Sequence, residues 1–153
     1  MVLQKTARAR RASSVVQFSV FTANRIGRLN ELVGILAGNG VNVLALSVLD
    51  TTYSSIIRFV VDNPESAREL LDKHGLPYTE GELVVVEMAA ATDLSGLIAA
   101  LLEAELNVNY LYSFIPHPHG KSVLALNMED NETAEEVLQK HQFKVLKQAD
   151  ISR

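Results

Sequence analysis

The feature that most limits what this chain can fold into is an internal repeat. Displaced by 65 positions, Leu29, Leu32, Val33, Leu36, Val41, Asn42, Val43 and Leu46 fall on Leu94, Leu97, Ile98, Leu101, Leu106, Asn107, Val108 and Leu111. Displaced by 67, Glu65-Ser66-Ala67, Leu71 and Lys73-His74 fall on Glu132-Thr133-Ala134, Leu138 and Lys140-His141. The two extra residues of the second copy are assigned to the loop from Pro116 to Lys121. One supersecondary unit therefore occurs twice, each copy too small to bury a large core alone. The copies join near Glu80-Gly81. That divides the 153 residues into a basic disordered tail at 1–13, a first domain at 14–80 and a second at 81–153.

Within each copy the periodicities name the elements. Residues 15–22 alternate and are β-branched or aromatic, which predicts a strand. Leu29, Leu32, Val33 and Leu36 keep the i, i+3, i+4, i+7 spacing of a helix with one buried stripe, and Asn39-Gly40 stops it. Val41 to Leu49 and Ile56 to Val61 are further strands, joined by a turn at Thr51 to Ser54. Asn63-Pro64 opens a second helix with the Asn as N-cap, Gly75 ends it, and a short strand follows near Tyr78. The second copy gives strands at 83–88, 107–115, 121–128 and 143–149, with helices at 93–104 and 131–141. The order β-α-β-β-α-β predicts an α+β fold of two ferredoxin-like units, helices on one face of antiparallel sheets. Exposed sheet edges invite pairing, and a dimer is expected.

Composition closes off several classes. There is no cysteine, so disulfides, thiolate nucleophiles and cysteine-held metals are out. No apolar run is long enough to span a bilayer. The formal charge is −4, with four basic residues and no acid in the first thirteen positions, so the body is acidic and unsuited to nucleic acid. A twin arginine before Val15 to Ala23 raises the question of a signal peptide, but Gln17 and Ser19 interrupt the apolar part. The expected setting is cytoplasmic.

The stretch most open to ligand chemistry is Asn24-Arg25-Ile26-Gly27-Arg28-Leu29, between the first strand and first helix. Gly27 permits a tight turn whose N–H groups, with the helix N-terminus, face an anion such as a carboxylate. Asn24 supplies donor and acceptor, and Asn42 a second amide. Asn24 as a plain turn residue and Asn42 as a plain strand opener remain alternatives. His117-Pro118-His119 has the look of a metal pair but lacks a third ligand. His74 and His141 suit helix C-termini, Ser13-Ser14 and Ser54-Ser55 lack a triad, and Glu135-Glu136 reads as a solvated face.

The loop, followed fifteen residues after its glycine by Val41-Asn42-Val43, resembles the ACT-domain signature. It is similar in particular to the serine-binding ACT domain of phosphoglycerate dehydrogenase, and the likeness covers residues 15–150. The resemblance implies that Asn24 and Asn42 hold an effector's amino and carboxylate groups, with Arg25, Ile26, Gly27, Arg28 and Leu29 completing the loop. The family's usual proline is Ile26 here, so the loop is less pre-organised. In the second copy Asn107 matches Asn42, but Ala89 replaces Asn24 and Thr92-Asp93 replaces the glycine turn, which implies a degenerate site. The implied function is a non-catalytic sensor or regulatory subunit that binds a serine-like amino acid, without cofactor or metal, as a homodimer through ACT–ACT contacts, with a biosynthetic enzyme as possible partner. A purely structural oligomerisation module and a small acylphosphatase-like enzyme are the alternatives. The arginine-bearing loop of the enzyme is missing, as is the aromatic strand motif of an RNA-recognition module.

Overall fold

The computed structural model describes residues 14–23, 26–115 and 121–152. The expected tail at 1–13, Asn24, Arg25 and His117-Pro118-His119 fall outside the described residues. Thirteen elements follow in order: β1 (Val15–Ala23), α1 (Ile26–Gly38), β2 (Val43–Asp50), β3 (Ser54–Val61), α2 (Pro64–Lys73), β4 (Tyr78–Met88), a 3₁₀ turn (Ala91–Asp93), α3 (Leu94–Glu103), β5 (Val108–Ser113), β6 (Ser122–Met128), α4 (Asn131–Lys140), β7 (Lys144–Leu146) and α5 (Gln148–Ile151).

Local chemistry explains the boundaries. The Asn63 side chain accepts from the Ser66 N–H at the start of α2, with Pro64 in the first turn, and Asp130 caps α4 in the same way through Thr133. Gly40 and Gly75 take φ of +76° and +66° just after α1 and α2, a conformation an L side chain resists.

Two expectations change. The joint at Glu80-Gly81 lies inside one continuous eleven-residue strand, β4, not in a linker. Its first half pairs with β1 (Val20 opposite Tyr78, Val15 opposite Leu83), and its second half pairs with β6 and β7. The last strand is only Lys144–Leu146, because the Lys147 N–H donates to Asp150 Oδ2 at 2.7 Å and turns the chain into α5.

The result is one seven-stranded antiparallel sheet ordered β2-β3-β1-β4-β6-β5, with β7 on β4. Each unit buries one face under its helices. Phe18, Phe59, Leu36 and Leu71 centre the first core, and Val84, Leu97, Leu126 and Leu138 the second. The opposite faces pack on each other through Val15, Val60, Leu83, Val85, Phe114 and Ala125. The sheet curls far enough for its two ends to meet, at an Ala45–Phe114 bridge and an Ile115 N–H bond to the Leu44 carbonyl of 2.7 Å. Helices therefore cover one face of each unit, as expected, and the second unit covers the other.

One polar side chain sits in that inter-unit layer. Gln17 is 3% exposed; its Nε2 donates to Tyr110 Oη at 2.7 Å and its Oε1 accepts from Tyr112 Oη at 2.6 Å. The Arg58 guanidinium lies 4.0 Å above the Tyr110 ring.

Candidate functional site

The expected site begins where β1 ends. Ala23 and Ile26 flank the two residues that are not described, and α1 starts at Ile26. Gly27 is a helical residue in the first turn of α1 and does not have a positive φ, so the glycine does not itself make the tight turn expected at it. Among the described residues, a Cβ added there would meet nothing within 4 Å. Arg28 Nη1 lies 3.3 Å from Glu31 Oε2 one turn on, an exposed pair of small energy. Leu29 packs against the first core and is a structural residue of α1.

Asn42 lies at the other end of the unit. Ala23 is opposite Ser54 at the start of β3, whereas Val43 is opposite Val61 at its finish. Seven residue steps at about 3.3 Å put the two ends roughly 23 Å apart. One unit therefore does not bring Asn42 to the loop after β1. Instead Asn42 is clamped to Asp62: its N–H donates to Oδ1 at 2.9 Å and its Nδ2 to Oδ2 at 2.8 Å, while the Asp62 N–H returns to the Asn42 carbonyl at 3.2 Å.

The second copy repeats this clamp. Asn107 Nδ2 donates to Glu129 Oε2 at 2.9 Å, and the Glu129 N–H donates to the Asn107 carbonyl at 3.2 Å. Thr92 and Asp93 lie in the 3₁₀ turn before α3, where Asp93 Oδ2 accepts from the Ala90 N–H at 3.2 Å. The acids of the two clamps were missed in the sequence. Their signal was present, since Asp62 and Glu129 stand 67 apart, the same displacement as the second helices.

Sequence reasoning also missed a cleft at this end. It has a volume of about 1090 Å³ and lies between the start of α2, the middle of β4 and α5, bordered by Asp62, Glu65, Arg68, Glu80, Glu82 and Gln148. Arg68 forks onto Glu80, with Nε to Oε2 at 2.8 Å and Nη2 to Oε1 at 2.9 Å, and this hydrogen-bonded carboxylate raises the arginine pKa further above its ordinary value. A smaller cleft of about 590 Å³ occupies the repeat-related place beside Asn107, Glu129 and Asn131. There Asn131 Nδ2 donates to the Glu82 carbonyl at 3.1 Å, and its buried Oδ1 has no partner among the described residues. No group of three or more metal-ligand side chains occurs among the described residues, and no helix there is long and apolar enough to cross a membrane.

Comparison with known proteins fits this architecture. The fold matches a protein of Bacteroides thetaiotaomicron with a TM-score of 0.83 at 22% identity, over 92% of this chain and 97% of that one. It matches the ligand-free regulatory subunit of aspartate kinase from Thermus thermophilus with a TM-score of 0.61 at 16% identity, over 84% and 91%. Aspartokinase III of E. coli, in complex with lysine and aspartate, matches at 0.51 and 18% identity over 84% of this chain and 30% of that one. No curated protein sequence matches. The family model described as an ACT domain pair matches residues 13–153, which span both repeats and the strand they share, and the chain belongs to the ACT domain pair family.

Proposed function

We propose that this chain is a non-catalytic regulatory protein that binds a small polar amino acid, serine or a near relative, and passes the signal to a partner enzyme. The carrying observation is the ACT domain pair spanning both repeats. The similarity to an aspartate kinase regulatory subunit and to a lysine-bound aspartokinase supports the same reading. Asn24, Arg25, Gly27 and Arg28 would take the ligand at the start of α1. Because Asn42 is at the far end of its own unit, it would serve a loop on another unit, and the site would form at a junction between two copies of the chain. A homodimer is then part of the function, since amino-acid binding at a junction shifts an equilibrium between packings. In the second copy too, Met88 is opposite Ser122 while Val108 is opposite Met128, so Asn107 lies at the far end of its unit from Thr92 and Asp93. A degenerate second site formed by Thr92, Asp93 and Asn107 would likewise draw Asn107 from another unit, and the setting would be cytoplasmic.

A second reading, an oligomerisation module with a decayed site, draws on the Asn42–Asp62 clamp, which already occupies the amide. A thermal-shift screen of the twenty amino acids separates the two. A ligand that binds only the folded state at a hundredfold its Kd adds about 2.7 kcal/mol. A rise of several degrees with one small polar amino acid supports the sensor. No rise with any of the twenty at millimolar concentration refutes it.

A further inference from the structure

The β1–β3 ladder runs from Ala23 opposite Ser54 to Phe18 opposite Phe59. The same register continued would set Val16 opposite Val61, but β1 turns toward β4, where Val16 faces Glu82. The side-chain amide of Gln148, from α5, occupies the opened place. Its Oε1 accepts from the Val16 N–H at 3.0 Å, and its Nε2 donates to the Val61 carbonyl at 3.2 Å and to Ser152 Oγ at 3.0 Å. A side-chain amide is the same chemical group as a peptide, so it completes the N–H of one strand and the C=O of the other. Beyond Gln148, Ile151 packs into the core between the units, and Lys147, the N-cap of α5, places Nζ 2.7 Å from Glu135 Oε1 on α4 of the second unit.

We propose that Gln148 is the latch of a C-terminal clasp. Through it, separation of β1 from β3 at the cleft end of the first unit and detachment of α5 are a single event. If α5 leaves, the Val16 N–H and the Val61 carbonyl lose their partners together. If the strands shift, α5 loses its anchor. The large cleft, which Gln148, Val16 and Ser152 border, cannot change shape at this edge without the second unit responding. The clasp stands on described side chains alone and holds whether or not the chain binds an amino acid.

Hydrogen exchange on the full chain tests it, with every rate divided by the intrinsic rate at that pH. In the unaltered protein the amides of Val16 and Ser152 should open with the same free energy across a denaturant series. Gln148→Met keeps the length and removes both bonds to the strands, together with the one to Ser152, and should speed Val16 exchange about tenfold or more. Gln148→Glu supplies the sharper arm. A neutral carboxyl at this position accepts from Val16 and donates to Val61, as the amide does. An ionised one loses the donor and sets charge against the Val61 oxygen. Asp62, Glu65, Glu80 and Glu82 border the cleft, Asp150 and Glu135 lie along α5 and α4, and the cations among the described residues there are Arg68 and Lys147, so these surroundings favour the neutral form. Val16 protection in this variant should match the unaltered protein near pH 4 and fall as pH rises through the carboxyl's titration, a step absent from Gln148→Met. Amides of the β5–β6 ladder report global folding in each variant. Unequal opening of Val16 and Ser152, unchanged Val16 exchange in Gln148→Met, or no pH step in Gln148→Glu would overturn the proposal.

Discussion

Replacing Tyr112 with Phe removes one oxygen from the polar spot between the two units. The ring stays, stacked 6.4 Å from Tyr110, so little packing is lost. What disappears is the donor to Gln17 Oε1 at 2.6 Å, which leaves a buried amide carbonyl unpaired in a layer of apolar side chains. Such a group costs about 1–3 kcal/mol. At about 2–4 °C per kcal/mol for a chain of this length, the melting midpoint should fall by roughly 2–12 °C. Gln17→Leu removes the other side of the pair and also the donor to Tyr110 Oη, a loss common to the single and double variants that cancels in the cycle. In the double variant the Gln17–Tyr112 pair leaves no group of its own stranded. A urea-unfolding double-mutant cycle should show the double variant less destabilised than the sum of the singles, with a coupling of about 1 kcal/mol or more. If the two effects add to within about 0.5 kcal/mol, the buried amide is not the reason for the loss. The same tyrosine gives a pH dependence. Burial first, and the neighbouring Tyr110 second, raise its pKa above the ordinary 10.0, against a lowering by Arg58. The folded state thus prefers the neutral phenol. That contribution is complete below about pH 10 and is lost as pH rises further, so alkaline destabilisation should be weaker in Tyr112→Phe.

Calorimetry should find amino-acid binding weakened roughly ten- to a hundredfold by Asn24→Ala and much less by Asn107→Ala; the reverse order would move the working site to the second copy. Asn63→Ala should lower stability by about 1 kcal/mol through loss of the α2 cap, and Asp130→Ala should do the same for α4; unchanged melting would show the caps to be replaceable. Sedimentation at micromolar concentration should give at least twice the chain mass of 16.8 kDa, and a monomer would remove the two-copy site.

Much of this was legible before any coordinates. The displacement by 65 and 67 gave two copies of one unit. Periodicities of 3.6 and 2 gave the helices and strands, and Asn63-Pro64 and Gly75 marked the ends of α2 through chemistry within one turn of chain. The acids of the two Asn clamps were also there to be found, in the repeat itself.

The remainder needed the tertiary structure, because period-2 alternation gives a strand two faces but does not say what covers either. Gln17, polar in an alternating strand, counted as an interruption; only the second unit's Tyr110 and Tyr112 make it a buried residue. The joint at Glu80-Gly81 reads as a break, yet β4 runs through it because both units use the one strand. Asn42 stands eighteen positions from Asn24 in sequence, but the β2–β3 register carries it to the opposite end of the sheet from the loop. Gln148 sits 132 positions from Val16, and no local pattern could have joined them. Sequence determined the elements and their duplication, since those follow from contacts a few residues apart. Where the candidate side chains lie was decided by strand pairing and sheet curvature, which bring together residues that no spacing along the chain connects.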